Sequence, residues 1–234
     1  YCEDKIWVAC TAQQDLSQIL QACNINQTAE AYGTIMGRFE VKVSLKGIEQ
    51  EYITQKRILE KTATAELELG KLYDAKQNAL TQQFHALPNS YTAYESRQQF
   101  IDFYPFVPYQ FSLMTNIFES FVSLGYVDLQ VRGSNRSIIQ VTHDTAKGTA
   151  NEEVGGLVSF DQFYNGMFAN SLTAKGDSSI HVATVACEKY EKPDFALRVV
   201  RILFMICNMN DAYKATFKST VENITTLLMR DIDS

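Results

Sequence analysis

Two short motifs that hold a nucleoside triphosphate in many ATPases are missing from this sequence. No G-x-x-x-x-G-K-[ST] loop, whose backbone amides cradle phosphates, occurs in the 234 residues. No run of four apolar residues ends in Asp-Glu, so a strand end that would bind magnesium cannot be assigned either. We therefore expect that this chain does not hydrolyse ATP by itself.

Cysteine and histidine are sparse and form no recognisable site. The five cysteines are irregularly spaced and include no C-x-x-C pair, which argues against a zinc site and favours reduced core thiols in a cytoplasmic protein. They are Cys2, Cys10, Cys23, Cys187 and Cys207. The three histidines, His85, His143 and His181, follow no catalytic order, and each is expected to be exposed or hydrogen-bonded.

Long apolar runs and an excess of basic residues are absent too. The strongest apolar run, around Val199 to Cys207, contains Arg201 and is too short to cross a bilayer. A formal net charge of -6 argues against a broad surface for polyanions, although a local basic site stays open. With 46% hydrophobic residues the chain has the composition of a globular protein. Since Tyr1 lies close to a predicted strand, we expect the chain to be a piece of a longer protein.

Two strand patterns are present near the N-terminus. Lys5 to Cys10 is a hydrophobic strand, and Thr11-Ala-Gln-Gln14 follows it with the spacing of a helix-capping box. After a polar stretch, Gly37-Arg38 leads into Phe39 to Leu45, where apolar and polar residues alternate as in a half-buried strand. Residues 1–47 are therefore predicted to form a small β-containing part.

Helical patterns follow. Ile48 to about Leu80 is predicted to be helical, with Gly70 as a candidate interruption, and Ala86 to Tyr91 reads as a loop. An aromatic stripe then runs from Pro108, suited to a helix start, to Gly125, suited to a helix end. The stripe comprises Phe111, Met114, Phe118, Phe121 and Val122, and we interpret it as helix core.

The remaining residues are also predicted to be helical. A helix is expected to begin near Ser134 and to give way to a linker from His143 to Gly156, the candidate subdomain boundary. Residues 160–190 look helical, and Pro193 opens a helix that we expect to be buried nearly all round. A capping box from Ser219 to Glu222 opens a last helix. Its predicted inner face is Val221, Ile224 and Leu228.

Three arginines are candidate phosphate-binding residues. Arg132 and Arg136 flank Gly133 where a helix is predicted to start, and cations there are opposed by the helix dipole unless an anion is bound. The alternative is a solvated surface pair. Arg38 stands before the alternating strand and could project toward the nucleotide of a neighbouring subunit, or form a surface ion pair. Thr11 lies at a strand end that can hold a water or phosphate, although helix capping also explains it.

The order of these motifs resembles an AAA+ ATPase from its first sensor, through its arginine finger, to the second sensor in the helical lid. Three segments resemble more narrowly the large P-loop ATPase of BREX bacteriophage-resistance systems. They are Tyr104-Pro-Phe-Val-Pro-Tyr-Gln-Phe111, Arg132-Gly-Ser-Asn-Arg-Ser137 and Glu222-Asn-Ile-Thr-Thr-Leu-Leu-Met-Arg-Asp-Ile-Asp233. The last helices are similar in order to the opening of a winged-helix domain.

This resemblance implies a mainly α fold with a small β remnant. Residues 1–47 would be the end of an AAA+ core, residues 48–150 a helical lid with an inserted helical segment, and residues 151–234 a partial winged-helix-like bundle. Thr11 and Arg38 would be catalytic, and Arg132 and Arg136 would bind the nucleotide. ATP and Mg²⁺ are expected only in the intact parent.

The resemblance implies partners as well. Other protomers or other phage-defence proteins would be bound, DNA would be reached only through the larger complex, and no membrane contact is expected. A different class of function stays open, in which the chain is a non-catalytic adaptor or a nucleic-acid-binding scaffold that keeps only the shape of a motor.

Overall fold

The computed structural model describes residues 54–127, 135–168 and 171–232, with the backbone alone for residues 135–137. All of these residues belong to a unit that begins at Ile48. Within them the fold is mainly helical, as predicted, and strand pairing is limited to two isolated antiparallel bridges, Val127 with Leu172 and Gly156 with Asp231. The two predicted strands and the rest of residues 1–47 lie outside the described residues.

The described residues are organised as a series of α-helices. In chain order they are α1 (Ala63–Gln83), α2 (Arg97–Phe103), α3 (Tyr109–Leu124), α4 (Asn135–Gly148), α5 (Gln162–Phe168), α6 (Ala174–Cys187), α7 (Pro193–Cys207), α8 (Asp211–Thr216) and α9 (Val221–Leu228). α1 packs on α2, α4 packs on α3 and α5, and α7 packs on α5, α6 and α9. A single hydrophobic cluster connects residues from Leu59 to Ile232.

The predicted helix from Ile48 to Leu80 is wrong in its middle and does not break at Gly70. Residues 54–57 are helical, but the chain leaves the helix at Ile58, and α1 starts only after Thr62, whose side chain accepts a hydrogen bond from the Ala65 amide (3.3 Å). Gly70 is buried inside α1, where a Cβ would lie 1.8 Å from the Arg97 guanidinium. Its missing side chain thus lets Arg97 of α2 lie against α1.

α3 confirms the prediction for the aromatic stripe. Pro108 precedes its first residue, and Gly125 ends it in the left-handed conformation (φ 69°) that favours glycine. Phe111, Met114 and Phe121 are buried in the core. The predicted loop at Ala86 to Tyr91 is confirmed as well.

The predicted linker from His143 to Gly156 is wrong in its first part, because α4 continues to Gly148. The buried face of α4 after Val141 carries threonines instead of large apolar residues, which hides the helical period. The hydroxyls of Thr142 and Thr145 are buried and donate to the carbonyl oxygens of Ile138 (2.8 Å) and Val141 (2.7 Å). The helical prediction for residues 160–190 holds for α5 and α6 but misses the break between them.

α7 begins at Pro193 as predicted, but it is not buried all round. Ile202, Met205 and Ile206 face the core, whereas Phe195 is half exposed and Cys207 is exposed. The prediction of a core thiol therefore holds for Cys187, which is buried, and fails for Cys207. Cys2, Cys10 and Cys23 lie outside the described residues.

α9 starts one residue later than the predicted capping box. Thr220, and not Ser219, caps the helix by accepting from the Asn223 amide (3.3 Å). The buried face of α9 is formed by Asn223, Thr226 and Leu227, whereas Val221 points outward and is 76% exposed. The predicted inner face of α9 is therefore wrong for Val221, and its other two members are only partly buried. None of the described helices is both long and apolar enough to traverse a membrane.

Candidate functional site

The predicted site residues lie mostly outside the part of the chain that the structure describes. This is so for Thr11, Arg38 and Arg132. Arg136 belongs to the first turn of α4, but its side chain is likewise outside the described atoms. The convergence of these residues on one ligand therefore stays a prediction. The structure does show how the rest of α4 is packed.

α4 is held from its second turn onward by close packing. Ile138 and Val141 are buried, and α4 contacts both α3 and α5. A Cβ on Gly166 of α5 would lie 3.1 Å from Val141 Cγ1, tighter than an ordinary contact. Glycine at position 166 therefore permits the close approach of α4 and α5, which fixes the helix that carries Arg136.

A cluster of aromatic rings, the aromatic centre, connects α3, α5 and α7. We give this name to Phe121 of α3, Tyr126, Phe168 of α5 and Phe204 of α7. The rings of Phe121 and Phe168 stack with centroids 4.4 Å apart, and Phe204 meets Phe121 edge-on at 5.1 Å. Tyr126 meets Phe121 edge-on as well, at 5.4 Å. These offset and edge-on contacts are the favourable geometries for aromatic pairs.

A second feature is the segment Gly155–Asp161 with the two segments to which it is hydrogen-bonded, residues 104–111 and residues 227–232. We call the three segments together the polar seam. On one side it pairs with the end of the chain: the amides of Leu157 and Phe160 donate to the carbonyl oxygens of Arg230 (2.8 Å) and Leu227 (2.7 Å). Gly155 has a positive φ of 116°, which a residue with a side chain rarely adopts, and its carbonyl accepts from the Ile232 amide (3.2 Å).

On its other side the seam binds the Tyr104–Phe111 segment. The buried Gln110 side chain donates to the Val158 carbonyl (2.6 Å) and accepts from the Val107 amide (3.0 Å). The Tyr104 hydroxyl accepts from the Gly155 amide (2.9 Å). Burial raises the pKa of Tyr104, so the phenol stays protonated at neutral pH. Two of the three segments that carry the family resemblance thus meet on the seam.

The seam also contains a buried charge. Asp161 has a side chain that is only 3% exposed, and its Oδ2 accepts from Arg198 Nε of α7 (3.1 Å) and from Arg230 Nη2 (3.4 Å). Arg198 Nη2 also donates a hydrogen bond to the Leu228 carbonyl (2.6 Å), and Arg230 Nε donates to Ser159 Oγ (3.3 Å). A buried carboxylate requires such partners. The network connects three segments that are distant in sequence.

The sequence analysis did not identify Asp161 or its arginines. A signal was present, because Asp161 is the one charged residue in the otherwise apolar and polar run from Leu157 to Phe168. Arg198 and Arg201 likewise interrupt the apolar sequence of α7 at a spacing of three residues. Charged residues inside apolar runs are either paired in the interior or directed at a ligand.

Other elements of a catalytic or metal site do not come together in the described residues. No group of three or more His, Cys, Asp or Glu side chains there is arranged to hold a metal ion. The predictions for the histidines are confirmed, since His85, His143 and His181 are exposed. His143 Nδ1 lies 3.1 Å from Oδ1 of its neighbour Asp144, and the His85 ring contacts the Gln82 carbonyl.

One surface groove, of about 260 Å³, lies between α1 and the segment before α2. It is lined by Tyr73, Gln77, Leu80, Thr81, Phe84, His85, Ala93 and Tyr94. Tyr94 donates its hydroxyl to the Phe106 carbonyl (2.8 Å), and burial raises its pKa well above the ordinary value. The groove thus has an aromatic wall and no charged cluster in its lining.

α8 and α9 follow one another at the end of the described chain. Asn210 and Thr220 cap them, and Phe217 in the connection is buried and meets Tyr91 edge-on at 5.1 Å. The outward side of α9 carries Val221, Glu222 and Thr225, without a lysine or arginine. This face lacks the cations that a helix needs to bind phosphates beside a DNA groove.

Comparison with known proteins leaves the family open. No family model matches the chain. No solved structure matches it at a significant level.

Proposed function

We propose that this chain is the lid and sensor portion of an AAA+ type ATPase that resembles the large ATPase of BREX phage-resistance systems. In this proposal the chain is cytoplasmic and does not hydrolyse ATP alone. The parent protein would supply the P-loop and bind ATP with Mg²⁺, and this portion would couple the nucleotide state to rearrangement of a phage-defence complex. Its partners would be other protomers or other defence proteins.

The ordered set of Thr11, Arg38 and Arg136 in the sequence carries the proposal. A strand end, an arginine before a strand and an arginine at a helix start follow one another in the order that an AAA+ module requires. The position of α4 supports it, because the helix starts at Asn135, within one residue of the expected start. Cations at that end of a helix are unfavourable unless an anion lies close by.

The packing of α4 supports a mechanical part of the proposal. Val141 and Gly166 hold α4 against α5, and α5 delivers Phe168 to the aromatic centre. A change of ligand at the start of α4 would therefore act on a helix with little freedom to move alone. Such a helix transmits a displacement to its neighbours instead of absorbing it.

Turnover of ATP by the intact parent protein tests the proposal. Arg38→Ala is expected to lower kcat about a thousandfold, the effect of removing an arginine finger. Arg136→Ala is expected to weaken ATP binding about tenfold or more, because it removes a charge-assisted phosphate contact. Arg57→Ala, which removes an exposed arginine, is the matched control. Unchanged turnover and ATP affinity in both test variants would refute the assigned roles.

The alternative function is a non-catalytic adaptor. Val221 on the outward side of α9 and the absence of cations beside it favour contact with a protein over contact with DNA. If the adaptor instead binds nucleic acid, the chain should bind a DNA duplex with a steep dependence on salt. An upstream P-loop in the parent sequence would favour the motor over the adaptor.

A further inference from the structure

Arg201 differs from the other arginines in the described part of α7 and the seam. Its Nε atom is buried and has no acceptor, and its side chain makes no hydrogen bond or ion pair with another described residue. Three residues earlier on the same helix, Arg198 is fully engaged, with Nε on Asp161 (3.1 Å) and Nη2 on the Leu228 carbonyl (2.6 Å). The chain therefore supplies acceptors for one of these guanidinium groups and not for the other.

An aromatic ring holds Arg201 in place. Its Cζ lies 5.2 Å from the centroid of the Tyr164 ring of α5, within the range of a cation–π contact. Tyr164 in turn packs edge-on against Phe204 at 6.2 Å, so it is anchored to the aromatic centre. Arg201 and Tyr164 are both partly exposed, which makes the guanidinium reachable from solvent.

The charges around Arg201 come from the helices packed against α7. Burial raises the pKa of Tyr164, while the Arg201 charge lowers it and the Asp177 charge of α6 raises it. Asp177 is exposed and makes no ion pair with Arg201. Arg198 pairs with Asp161, whose carboxylate it shares with Arg230. The guanidinium of Arg201 is thus a preorganised cation whose hydrogen-bond donors are not used by the described chain.

We propose that Arg201 and Tyr164, at the junction of α5, α6 and α7, form a binding site for an oxyanion group, either a phosphate or a carboxylate. A guanidinium held on an aromatic ring keeps its planar edge for two parallel hydrogen bonds to such a group. Arg201 is partly exposed and its side chain has no acceptor in the described chain, so an oxyanion that reaches the guanidinium would displace no protein partner. The proposal uses none of the residues assigned to ATP and does not depend on that assignment.

The test is a titration of the full ¹⁵N-labelled chain, followed by NMR through the arginine Nε–H signals. Sodium phosphate and sodium acetate are compared with sodium chloride at constant ionic strength. The Arg201 signal should shift in a saturable manner with phosphate or acetate and not with chloride. Arg57, which is exposed, serves as the internal control and should follow ionic strength only. Saturation by phosphate alone assigns phosphate-bearing ligands, and saturation by acetate assigns a carboxylate of a partner.

Three variants sharpen the result, with the backbone amide of Tyr164 as the readout. Arg201→Gln should abolish the saturable response, and Arg201→Lys should weaken it, because lysine lacks the planar fork. Asp177→Asn should tighten binding about two- to threefold, the effect of removing one repelling charge several Å away in water. A shift of Arg201 that matches that of Arg57, or a saturable response that survives Arg201→Gln, would overturn the proposal.

Discussion

The aromatic centre and the polar seam belong to one core but are stabilised by different interactions. In the aromatic centre, Phe121, Phe168 and Phe204 bury apolar area and make ring contacts with one another. None of these contacts requires one particular partner. In the seam, each interaction has a defined donor and acceptor, from Gln110 on the Val158 carbonyl to Asp161 with its arginines. A ring can be replaced by another apolar group, whereas a buried donor or charge needs its own partner.

This difference separates what each feature contributes to the fold. Apolar packing is non-directional, so the aromatic centre supplies stability without fixing how distant segments are joined. The seam joins residues 104–110, 155–161 and 227–232 through specific hydrogen bonds. We infer that the seam determines which segments pair and that the aromatic centre contributes to the free energy of unfolding without selecting them.

The largest expected effect comes from removing the central ring. Phe121→Ala is expected to lower the free energy of unfolding by about 3–5 kcal/mol, because the lost ring leaves a cavity among three aromatic neighbours. Phe118→Ala on the same helix removes a ring that is only partly buried and should cost clearly less. Urea unfolding followed by circular dichroism measures both. Equal costs for the two variants would show that Phe121 is not the centre of the core.

The buried charge of the seam should rank next. Asp161→Asn is expected to cost about 3 kcal/mol, because Arg198 loses its charge partner while the amide still offers an acceptor. Arg230→Met should cost less, since the Arg230 side chain is 49% exposed and can be hydrated.

A double-mutant cycle of Asp161→Asn with Arg198→Met isolates the pair in the seam. Its coupling energy is expected to exceed that of Asp161→Asn with Arg230→Met, because only 20% of the Arg198 side chain is exposed. A coupling energy near zero in both cycles would mean that the seam is stabilised by its backbone hydrogen bonds alone.

The two features also differ in how well the sequence predicts them. The stripe from Phe111 to Val122 repeats at helical spacing and is bounded by Pro108 and Gly125, so its burial could be inferred from local pattern. Asp161, Arg198 and Arg230 are separated by dozens of residues, and their pairing follows from packing that no local pattern records. The last turns of α4 were not predicted because threonines on its buried face interrupt the apolar pattern. These threonines can be buried because their hydroxyls donate to carbonyl oxygens of the same helix.

The candidate site was predicted from sequence order alone. Thr11, Arg38 and Arg132 lie outside the described residues, and Arg136 can be followed only to its place in α4. Arg201 shows the opposite case: its sequence position suggested only an interruption of an apolar run. Its missing acceptor became evident from the surrounding atoms, because pairing of charges depends on tertiary contacts.

A smaller effect is expected at the start of α9, the helix that leads into the seam. Thr220→Ala should lower the free energy of unfolding by about 1 kcal/mol, because the Asn223 amide loses its capping acceptor. Ser219→Ala is the matched control and should change it by no more than a few tenths, since Ser219 is exposed and does not cap α9. The reverse ranking in thermal unfolding would restore the predicted cap at Ser219.

A last expected effect is a pH dependence of the free energy of unfolding at Lys61, a partly buried cation that contrasts with the paired arginines of the seam. Its Nζ donates to the Asp102 carbonyl (3.1 Å), and burial lowers its pKa from 10.5 to about 8, with the Asp102 and Glu66 charges offsetting part of the shift. Between these two values the unfolded chain binds more protons than the folded chain, so the free energy of unfolding rises with pH. Below about pH 8 lysine is protonated in both states, and its burial is fully unfavourable.

Urea unfolding between about pH 7.5 and 9 measures this rise, because most tyrosines of the unfolded chain ionise only above this window. Lys61→Met should flatten the pH dependence and stabilise the chain most at the low end of the window, because no charge is then buried. Lys71→Met removes an exposed lysine and should leave the slope unchanged. A slope that persists in Lys61→Met would assign the pH dependence to another group. In that case the partial burial of the Lys61 charge would carry no measurable cost, and the need for a charged partner inferred from the seam would not extend to Lys61.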